Sequence, residues 1–120
     1  MGGVELAENI YAICTKNMQA LGYRDVTVIH KNVTELRDEL DDFNVFYMFN
    51  PFPADPMRIF MRSIAESVKR KRRAVYVVYQ YPLYADACRE EGFVVLKEML
   101  THSYFMNDKP TLILEHRTSQ

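Results

Sequence analysis

The chain has 120 residues and a mass of 14.1 kDa, the size of one domain, so we predict a single domain over residues 1–120. Its hydrophobic fraction of 48% and charged fraction of 26% exclude a disordered chain. The net charge of −1 disfavours a dedicated nucleic-acid binder, because phosphate binding needs a surplus of Lys and Arg. The sequence has no apolar stretch of membrane-spanning length and no secretory signal pattern, so we expect a cytoplasmic protein with no membrane partner.

The residues that most often bind metals or form disulfides are sparse. Cys14 and Cys88 lie far apart without CxxC spacing, and both are predicted to be small buried apolar residues of helices in a reduced protein. His30, His102 and His116 are scattered and show no metal-site spacing. The sequence therefore predicts neither a metal site nor a disulfide.

The first elements along the chain alternate between β-type and helical patterns. Val4–Leu6 predicts a short strand. Ala7–Leu21 has apolar residues at helical spacing, and Gly22 is a plausible helix stop. Val26–His30 is rich in β-branched residues and predicts a second strand. These patterns indicate a β–α–β unit.

The middle of the chain predicts a short helix and a buried strand. Thr34 is expected to cap the helix, with Leu36 and Leu40 on one of its faces. Val45–Phe49 is continuously apolar, as expected of a strand that is buried on both sheet faces. Pro51 cannot continue that strand, so the strand is expected to end before it.

The following segment repeats the alternation. Asp55 and Pro56 predict a helix start with a cap and a first-turn proline, and the helix is expected to run to about Arg70. Ala74–Tyr79 predicts the next buried strand, and Tyr81–Glu91 predicts a helix. The inward side chains of the first of these helices are predicted to be Met57, Phe60, Met61, Ile64 and Val68.

The last two predicted strands are Phe93–Met99 and Thr111–Glu115. No helix is predicted between them, so they should be antiparallel neighbours at one edge of the sheet. The alternation before them predicts an α/β fold with three layers, in which helices cover both faces of a mostly parallel, Rossmann-like sheet.

The chain resembles the class I S-adenosylmethionine-dependent methyltransferases. Two strand ends carry the resemblance: an apolar stub that ends in Glu5 and, about 45 residues later, an apolar run into Asn50-Pro51-Phe52. A helix-free final strand pair in a Rossmann-like sheet is a hallmark of that superfamily. The resemblance covers nearly the whole chain, from the second strand of the fold to its last, and is nearest to small bacterial members. The first strand and the glycine-rich loop of the family are absent from the sequence.

The resemblance implies S-adenosylmethionine as the cofactor and names three residues that would bind it. Glu5 would accept hydrogen bonds from both ribose hydroxyls, because two O–H donors suit an ionised carboxylate. Leu6 would pack against the adenine, and Asn32 would accept a hydrogen bond from the adenine amino group. The alternatives are that Glu5 is a helix-start acid favoured by the helix dipole and that Asn32 is a turn residue.

The resemblance also implies catalytic roles for Asn50, Pro51 and Phe52. In amino-group methyltransferases, an Asp/Asn-Pro-Pro-aromatic tetrad at this strand end holds the target nitrogen. Here the tetrad is short by one residue, which leaves the methyl acceptor unidentified and an amine as one candidate class. The alternative is a proline turn with Phe52 in the core. Tyr79 and Tyr81 are further candidates to line the cleft.

The absent segment limits what the isolated chain is expected to do. Hydrogen bonds to charged groups contribute roughly 1.5–3 kcal/mol each, so losing two or three lowers cofactor affinity by on the order of a hundredfold to a millionfold. We therefore expect poor methyltransferase activity, and the alternative function is a non-catalytic, methyltransferase-like binding or dimerisation module. A flavodoxin-like or receiver-like domain is disfavoured, since the sequence has neither an acid cluster after the first strand nor a phosphate loop.

The absent first strand would also be the central strand of the sheet. Either the Gly3–Leu6 strand takes that place, which gives the order 2-1-3-4-6-5, or a partner chain covers it. We expect a homodimer on this ground. The basic run Lys69–Arg73 is expected to be a solvated helix end and not a nucleic-acid site, because cations favour helix C-termini.

Overall fold

A computed structural model describes residues 2–5, 8–22, 27–49, 53–80, 82–100 and 110–117 of the chain. The chain divides into two units, Met1–Leu36 and Arg37–Gln120. Each unit contains its own hydrogen-bonded sheet.

The first unit is built around a parallel β–α–β arrangement. Strand β1 (Gly2–Glu5) is followed by helix α1 (Glu8–Leu21) and strand β2 (Thr27–His30), and the two strands pair in parallel. Gly22 follows α1 with φ of +72°, a left-handed conformation that glycine adopts without steric cost. The predicted helix, glycine stop and second strand are confirmed, and the first strand begins at Gly2 and not at the predicted Val4.

The predicted helix after Thr34 is wrong. The structure has two short 3-10 helices instead, Val33–Glu35 in the first unit and Asp38–Asp42 in the second. Asn32, not Thr34, caps the first of them, and its side chain accepts a hydrogen bond from the Thr34 backbone N–H. Leu36 then has extended backbone angles of −70° and 137°, so an α-helix cannot propagate through it.

The second unit contains a four-stranded sheet. Its strands are β3 (Val45–Phe49), β4 (Ala74–Gln80), β5 (Val94–Leu100) and β6 (Pro110–Arg117), in the order β3-β4-β6-β5. β3 pairs with β4 in parallel, and β6 pairs antiparallel with both β4 and β5. β3, β4 and β5 therefore run in one direction and β6 runs against them. The predicted antiparallel pair at the C-terminal end of the chain is confirmed.

The strand pairings within each unit can be compared with the predicted order 2-1-3-4-6-5. The described strands pair as β1-β2 in one sheet and as β3-β4-β6-β5 in another. The pairing of β1 with β2 and the order β3-β4-β6-β5 agree with the 2-1 and 3-4-6-5 parts of the predicted order.

The helices of the second unit begin at residues other than those predicted. Helix α2 (Ala54–Arg70) has Pro53 as its N-cap residue. Asp55 therefore lies in its first turn, where the helix dipole stabilises a carboxylate. Its end at Arg70 is as predicted. Helix α3 (Ala85–Glu90) is shorter than the predicted Tyr81–Glu91, because residues 83–84 form a turn before it. None of the described helices has the length and apolar character of a membrane span.

One face of the four-stranded sheet and one face of α2 form the core of the second unit. Burial alternates along β4, and all five residues predicted to face inward from α2 are buried. The Phe60 ring on α2 meets the Phe46 ring on β3 edge to face, with 6.1 Å between the ring centroids. The buried apolar residues of the sheet are Met48, Val75, Val77, Tyr79, Leu112 and Leu114.

The prediction that β3 is buried on both faces is wrong. Met48 is buried, whereas Val45 and Tyr47 are 60% and 66% exposed. Side chains alternate across a strand, so Met48 and Phe46 lie on the face that meets α2, and Val45 and Tyr47 lie on the opposite face. The apolar run therefore has one buried face and one exposed face.

The two cysteines are free and differ in exposure. Cys88 is fully buried, and burial raises the pKa of its thiol to about 11. Cys14 on α1 is only half-buried, so the prediction that both cysteines are buried is wrong for this residue. Cys88 thus behaves as the small buried apolar residue that was predicted, and its thiol has little thiolate at neutral pH.

Candidate cofactor site

Two parallel strand ends lie side by side in the first unit. The pairing of β1 with β2 runs from Gly2 level with Thr27 to Glu5 level with His30. Asn32 follows His30 by two residues. The carboxyl ends of parallel strands are where open α/β sheets bind ligands. The structure therefore brings Glu5 and Asn32 to the same end of one strand pair.

The Asn32 side chain is already engaged within its own turn. Its Oδ1 accepts a hydrogen bond from the Thr34 backbone N–H at 3.0 Å and another from the Thr34 hydroxyl at 2.9 Å. A carbonyl oxygen has two lone pairs, so these two bonds use its acceptor capacity. An adenine amino group would have to compete with Thr34 for Oδ1. The Asn32 Nδ2 group, by contrast, is a hydrogen-bond donor of the kind that suits a ring nitrogen of adenine.

His30 lies at this strand end and has no function predicted from the sequence. Its ring stacks on the Tyr11 ring of α1, with 4.8 Å between the centroids and 15° between the planes. Because His30 is level with Glu5, the stack fixes an aromatic ring beside the end of β1. Neither the register nor the stack has a signal in the sequence, since both depend on how β1, α1 and β2 are placed against one another.

Several predicted site residues lie outside the described residues. Within the cofactor set this applies to Leu6, and the side chain of Glu5 is not described either, although its backbone is part of β1. The same applies to the whole predicted acceptor site and to the further candidate Tyr81. The acceptor residues concerned are Asn50, Pro51 and Phe52.

The described residues on either side of the acceptor segment fix its attachment points. Phe49 ends β3 and is level with Gln80, the last residue of β4. Pro53 caps α2, so the segment joins the carboxyl end of β3 to the start of that helix. The Tyr47 hydroxyl donates a hydrogen bond to the Gln80 side-chain oxygen at 2.5 Å, which ties the two strands together near this end.

Tyr79 has a structural position instead of lining a cleft. Its side chain is fully buried, and its hydroxyl oxygen accepts a hydrogen bond from the Tyr84 backbone N–H at 3.3 Å. Burial raises the pKa of its phenol. The buried hydroxyl thus holds the turn that leads from β4 into α3.

The basic run at the end of α2 is exposed from Lys69 to Arg72, as expected of a solvated helix end, whereas Arg73 is half-buried and anchored within the second unit. The Arg73 guanidinium donates hydrogen bonds to the carbonyl oxygens of Leu40 (3.0 Å), Phe43 (2.9 Å), Ser67 (3.1 Å) and Lys71 (2.8 Å). These bonds satisfy carbonyl groups at the end of a helix and at a strand start. The side chain is therefore part of the fold and not an exposed phosphate-binding group.

Arg70 forms a second anchor beside it. Its guanidinium contacts both carboxylate oxygens of Asp41, at 2.9 Å and 3.2 Å, and Ser67 donates a hydrogen bond to the same carboxylate at 2.6 Å. The Arg70 hydrogen bond and then the Ser67 hydrogen bond lower the pKa of Asp41. A bidentate pair of this kind orients both partners. It fixes the Asp38–Asp42 helix against the end of α2.

The remaining histidine that the structure describes is not at a ligand site. His116 packs against the Phe93 ring edge to face, with 5.1 Å between centroids, and its Nδ1 is buried with no hydrogen-bond partner among the described residues. It is level with Val75 at the amino end of β4, away from the carboxyl ends of the strands. Within the part of the chain that the structure describes, no three His, Cys, Asp or Glu residues are grouped to hold a metal ion.

No protein-family model matches the sequence, and a search of curated proteins finds no match either. Solved structures do match. The crystal structure of MtNAS, a nicotianamine synthase, in complex with MTA and tNA is 22% identical, with a TM-score of 0.66. The match covers 98% of this chain and 44% of MtNAS, so the chain spans less than half the length of that protein.

Two methyltransferases extend the comparison. Magnesium protoporphyrin IX methyltransferase (ChlM) from Synechocystis PCC 6803 with bound SAM is 15% identical with a TM-score of 0.62, over 98% of this chain and 59% of that chain. An rRNA methylase from Streptococcus thermophilus is 14% identical with a TM-score of 0.59, over 99% of this chain and 73% of that chain. Together these likenesses show that the chain has a class I methyltransferase-like fold.

Proposed function

We propose that the chain is an S-adenosylmethionine-binding domain, or part of one, that serves methyl transfer to an unidentified acceptor. The observation that carries the proposal is the sheet of the second unit, in which β6 runs antiparallel between β4 and β5, in a fold shared with ChlM with bound SAM. A crystal structure of a mutant of MtNAS in complex with S-adenosylmethionine also matches, at a TM-score of 0.65. The proposal thus rests on topology shared with proteins that bind this cofactor.

Three residues of the first unit are proposed to hold the cofactor. Glu5 and Asn32 lie at adjacent parallel strand ends, and Leu6 follows Glu5 in the chain. A carboxylate and an amide at this position suit the hydroxyls of a ribose and the polar edge of an adenine. Since Thr34 already occupies the Asn32 oxygen, we propose that Asn32 contributes its Nδ2 donors. When bound, the cofactor would supply the activated methyl group of its sulfonium.

The acceptor is proposed to bind at Asn50-Pro51-Phe52. These residues follow β3 directly, and β3 and β4 end level with each other at Phe49 and Gln80. An amide oxygen can accept a hydrogen bond from an amine and so hold its nitrogen in one orientation, while an aromatic ring can pack against the rest of the acceptor. An amine is therefore the acceptor class that these side chains favour.

The direct test is titration of the chain with S-adenosylhomocysteine. Two-dimensional NMR is the readout, because it detects binding with a dissociation constant in the millimolar range. The 120 residues contain no Gly-x-Gly sequence, so we expect weak binding, with shifts confined to the amides of Glu5 and of His30 to Asn32. Glu5→Gln should weaken binding by at least about tenfold, because it removes charge-assisted hydrogen bonds.

Glu8→Gln is the matched control for this test. Glu8 is an exposed acid in the first turn of α1, three residues after Glu5, and its replacement should leave the affinity within about twofold. Equal losses in both variants would mean that Glu5 acts through helix stability. The absence of any shift at several millimolar ligand would overturn cofactor binding by this chain.

The second candidate function is a non-catalytic, methyltransferase-like binding module. The Asn32–Thr34 hydrogen bonds favour it, because an oxygen engaged within its own turn is less suited to a ligand. This candidate predicts a stable fold with no response to S-adenosylhomocysteine. The same titration therefore distinguishes the two functions.

A further inference from the structure

The two edge strands of the four-stranded sheet are built differently. β5 forms one edge, and its pairing with β6 shifts register between Val95 and Lys97, as in a β-bulge. Lys97 and Glu98 on this strand are both exposed. Bulges and exposed charges are the devices by which natural proteins prevent an edge strand from pairing with another chain. β5 is therefore a protected edge.

β3 has none of these devices. Among the described strands its one hydrogen-bonded neighbour is β4, and the register of that pair is regular from Val45 to Phe49. The strand sequence Val-Phe-Tyr-Met-Phe has no charge, no proline and no glycine. An uncharged, regular strand of this kind is a template for the addition of another strand. The sheet thus has one protected and one unprotected edge.

The exposed face of β3 is also unlike that of a solvent-facing strand. Strands with one solvated face normally alternate apolar with polar residues, but the exposed positions here are Val45 and Tyr47. They continue as a row across the sheet, because Val45 is level with Tyr76 and Tyr47 is level with Val78. An association at the β3 edge would place a second strand beside this apolar row.

We propose that the β3 edge pairs with the β3 edge of a second copy of this chain, in an antiparallel register centred on Tyr47. In this register Tyr47 lies opposite its own equivalent, Val45 lies opposite Phe49, and Phe46 lies opposite Met48. Aromatic pairs and aromatic–aliphatic pairs across antiparallel strands are stabilising, and no like charges face each other. β3 is therefore self-complementary, and its pairing joins the sheets of two protomers into one continuous sheet.

The test is sedimentation velocity of the 120-residue chain over a range of concentrations from low to high micromolar. We expect a concentration-dependent dimer. Tyr47→Lys should weaken the dimer by at least about tenfold, since it places two like charges directly opposite each other. Tyr47 is largely exposed, so the variant should keep its circular dichroism spectrum.

Val45→Lys and Val94→Lys are the matched pair that assigns the interface to one edge. Both valines begin an edge strand, and they are 60% and 61% exposed. Val45→Lys should weaken the dimer, and Val94→Lys should leave it within about twofold. A monomer at every concentration, or equal weakening by the two variants, would overturn the proposal.

Amide hydrogen exchange adds a second readout that does not depend on the variants. The β3 amides should become more protected as protein concentration rises, because their free edge then forms hydrogen bonds. Slow exchange of these amides in a monomer would mean that a strand of the same chain covers the edge, which also overturns the proposal. Cofactor binding is not required for either readout, so the outcome is independent of the proposed function.

Discussion

The two units of the chain bury their helices to different extents. No residue of α1 in the first unit is fully buried, and Ile13 on this helix is 57% exposed. In the second unit α2 has eight buried residues, and Met61 among them is fully buried. Most helical stability in proteins comes from packing of an apolar face, so a helix without buried residues contributes less than one whose apolar face is buried in a core. The second unit is therefore the one with a buried helical core, whereas the first unit carries the candidate cofactor residues.

The largest expected effect comes from truncating the same kind of apolar residue in the two helices. Met61→Ala should lower the free energy of unfolding by about 2–5 kcal/mol, because it leaves a cavity in the core of the second unit. Ile13→Ala should change it by about 0.5 kcal/mol or less, since the side chain is already exposed. Urea unfolding measures both values. Similar losses would show that the first unit has a core of comparable strength.

A smaller effect is expected from the anchor at the end of α2. Arg73→Lys should lower the free energy of unfolding by about 1–3 kcal/mol, because one ammonium group cannot reach the carbonyl oxygens that the guanidinium satisfies. Lys71→Ala, which removes an exposed ion pair to Asp42, should change it by about 0.5 kcal/mol or less. If both variants had the same stability, the Arg73 bonds would contribute nothing beyond surface charge.

The smallest expected effect is a pH dependence of the free energy of unfolding, which comes from His116 in the second unit. Burial and then the charge of Lys69 lower the pKa of His116 below its ordinary value of about 6.5. The unfolded chain therefore binds this proton more readily, so stability is retained above that pH and falls as the pH drops from about 7 towards 5. His116→Gln should flatten this slope in urea titrations. His30→Gln, at an exposed ring of the first unit, is the control, and an unchanged slope in His116→Gln would contradict the assignment.

Local patterns predicted the elements whose signals are contained in a few consecutive residues. The apolar spacing of α2 placed Met57, Phe60 and Met61 in the core, and the continuous run Val45–Phe49 marked β3 at its observed bounds. Gly22 was correctly predicted to follow the end of α1, because a single glycine can adopt the positive φ that ends a helix. Such features depend on propensity and period, which the sequence carries directly.

The wrong predictions concern two kinds of feature. In one, two neighbouring residues can both cap a helix, and in the other, the burial of a strand depends on what packs against it. Thr34 is a residue type that often caps helices. In the structure Asn32 is the cap instead, because its side chain accepts a hydrogen bond from the Thr34 backbone N–H, and the segment forms a 3-10 helix. The apolar residues of β3 suggested burial on both faces, yet whether Val45 and Tyr47 are covered depends on what packs against them. The sequence does not encode that directly.

The candidate site shows the same limit. The residue types of Glu5 and Asn32 indicated a role, and the β1-β2 register brings them to one end of a strand pair. The engagement of the Asn32 oxygen with Thr34 and the stack of Tyr11 on His30 could not be predicted, because each depends on distances between side chains. Residue types can suggest the chemistry of a site, while distances decide which atoms are available for it.

The Arg73 side chain also acts as a non-covalent cross-link. Its bonds to the Phe43 and Leu40 carbonyls join residues that are 30 and 33 positions apart, and so close a loop that contains β3 and α2. Closing a flexible loop of that length costs roughly 3 kcal/mol of chain entropy beyond a constant term. Because the closure uses only groups within the second unit, the segment of β3 and α2 is held closed by contacts of that unit alone. Its opening requires the release of several bonds at once, which is the property expected of a unit that unfolds cooperatively.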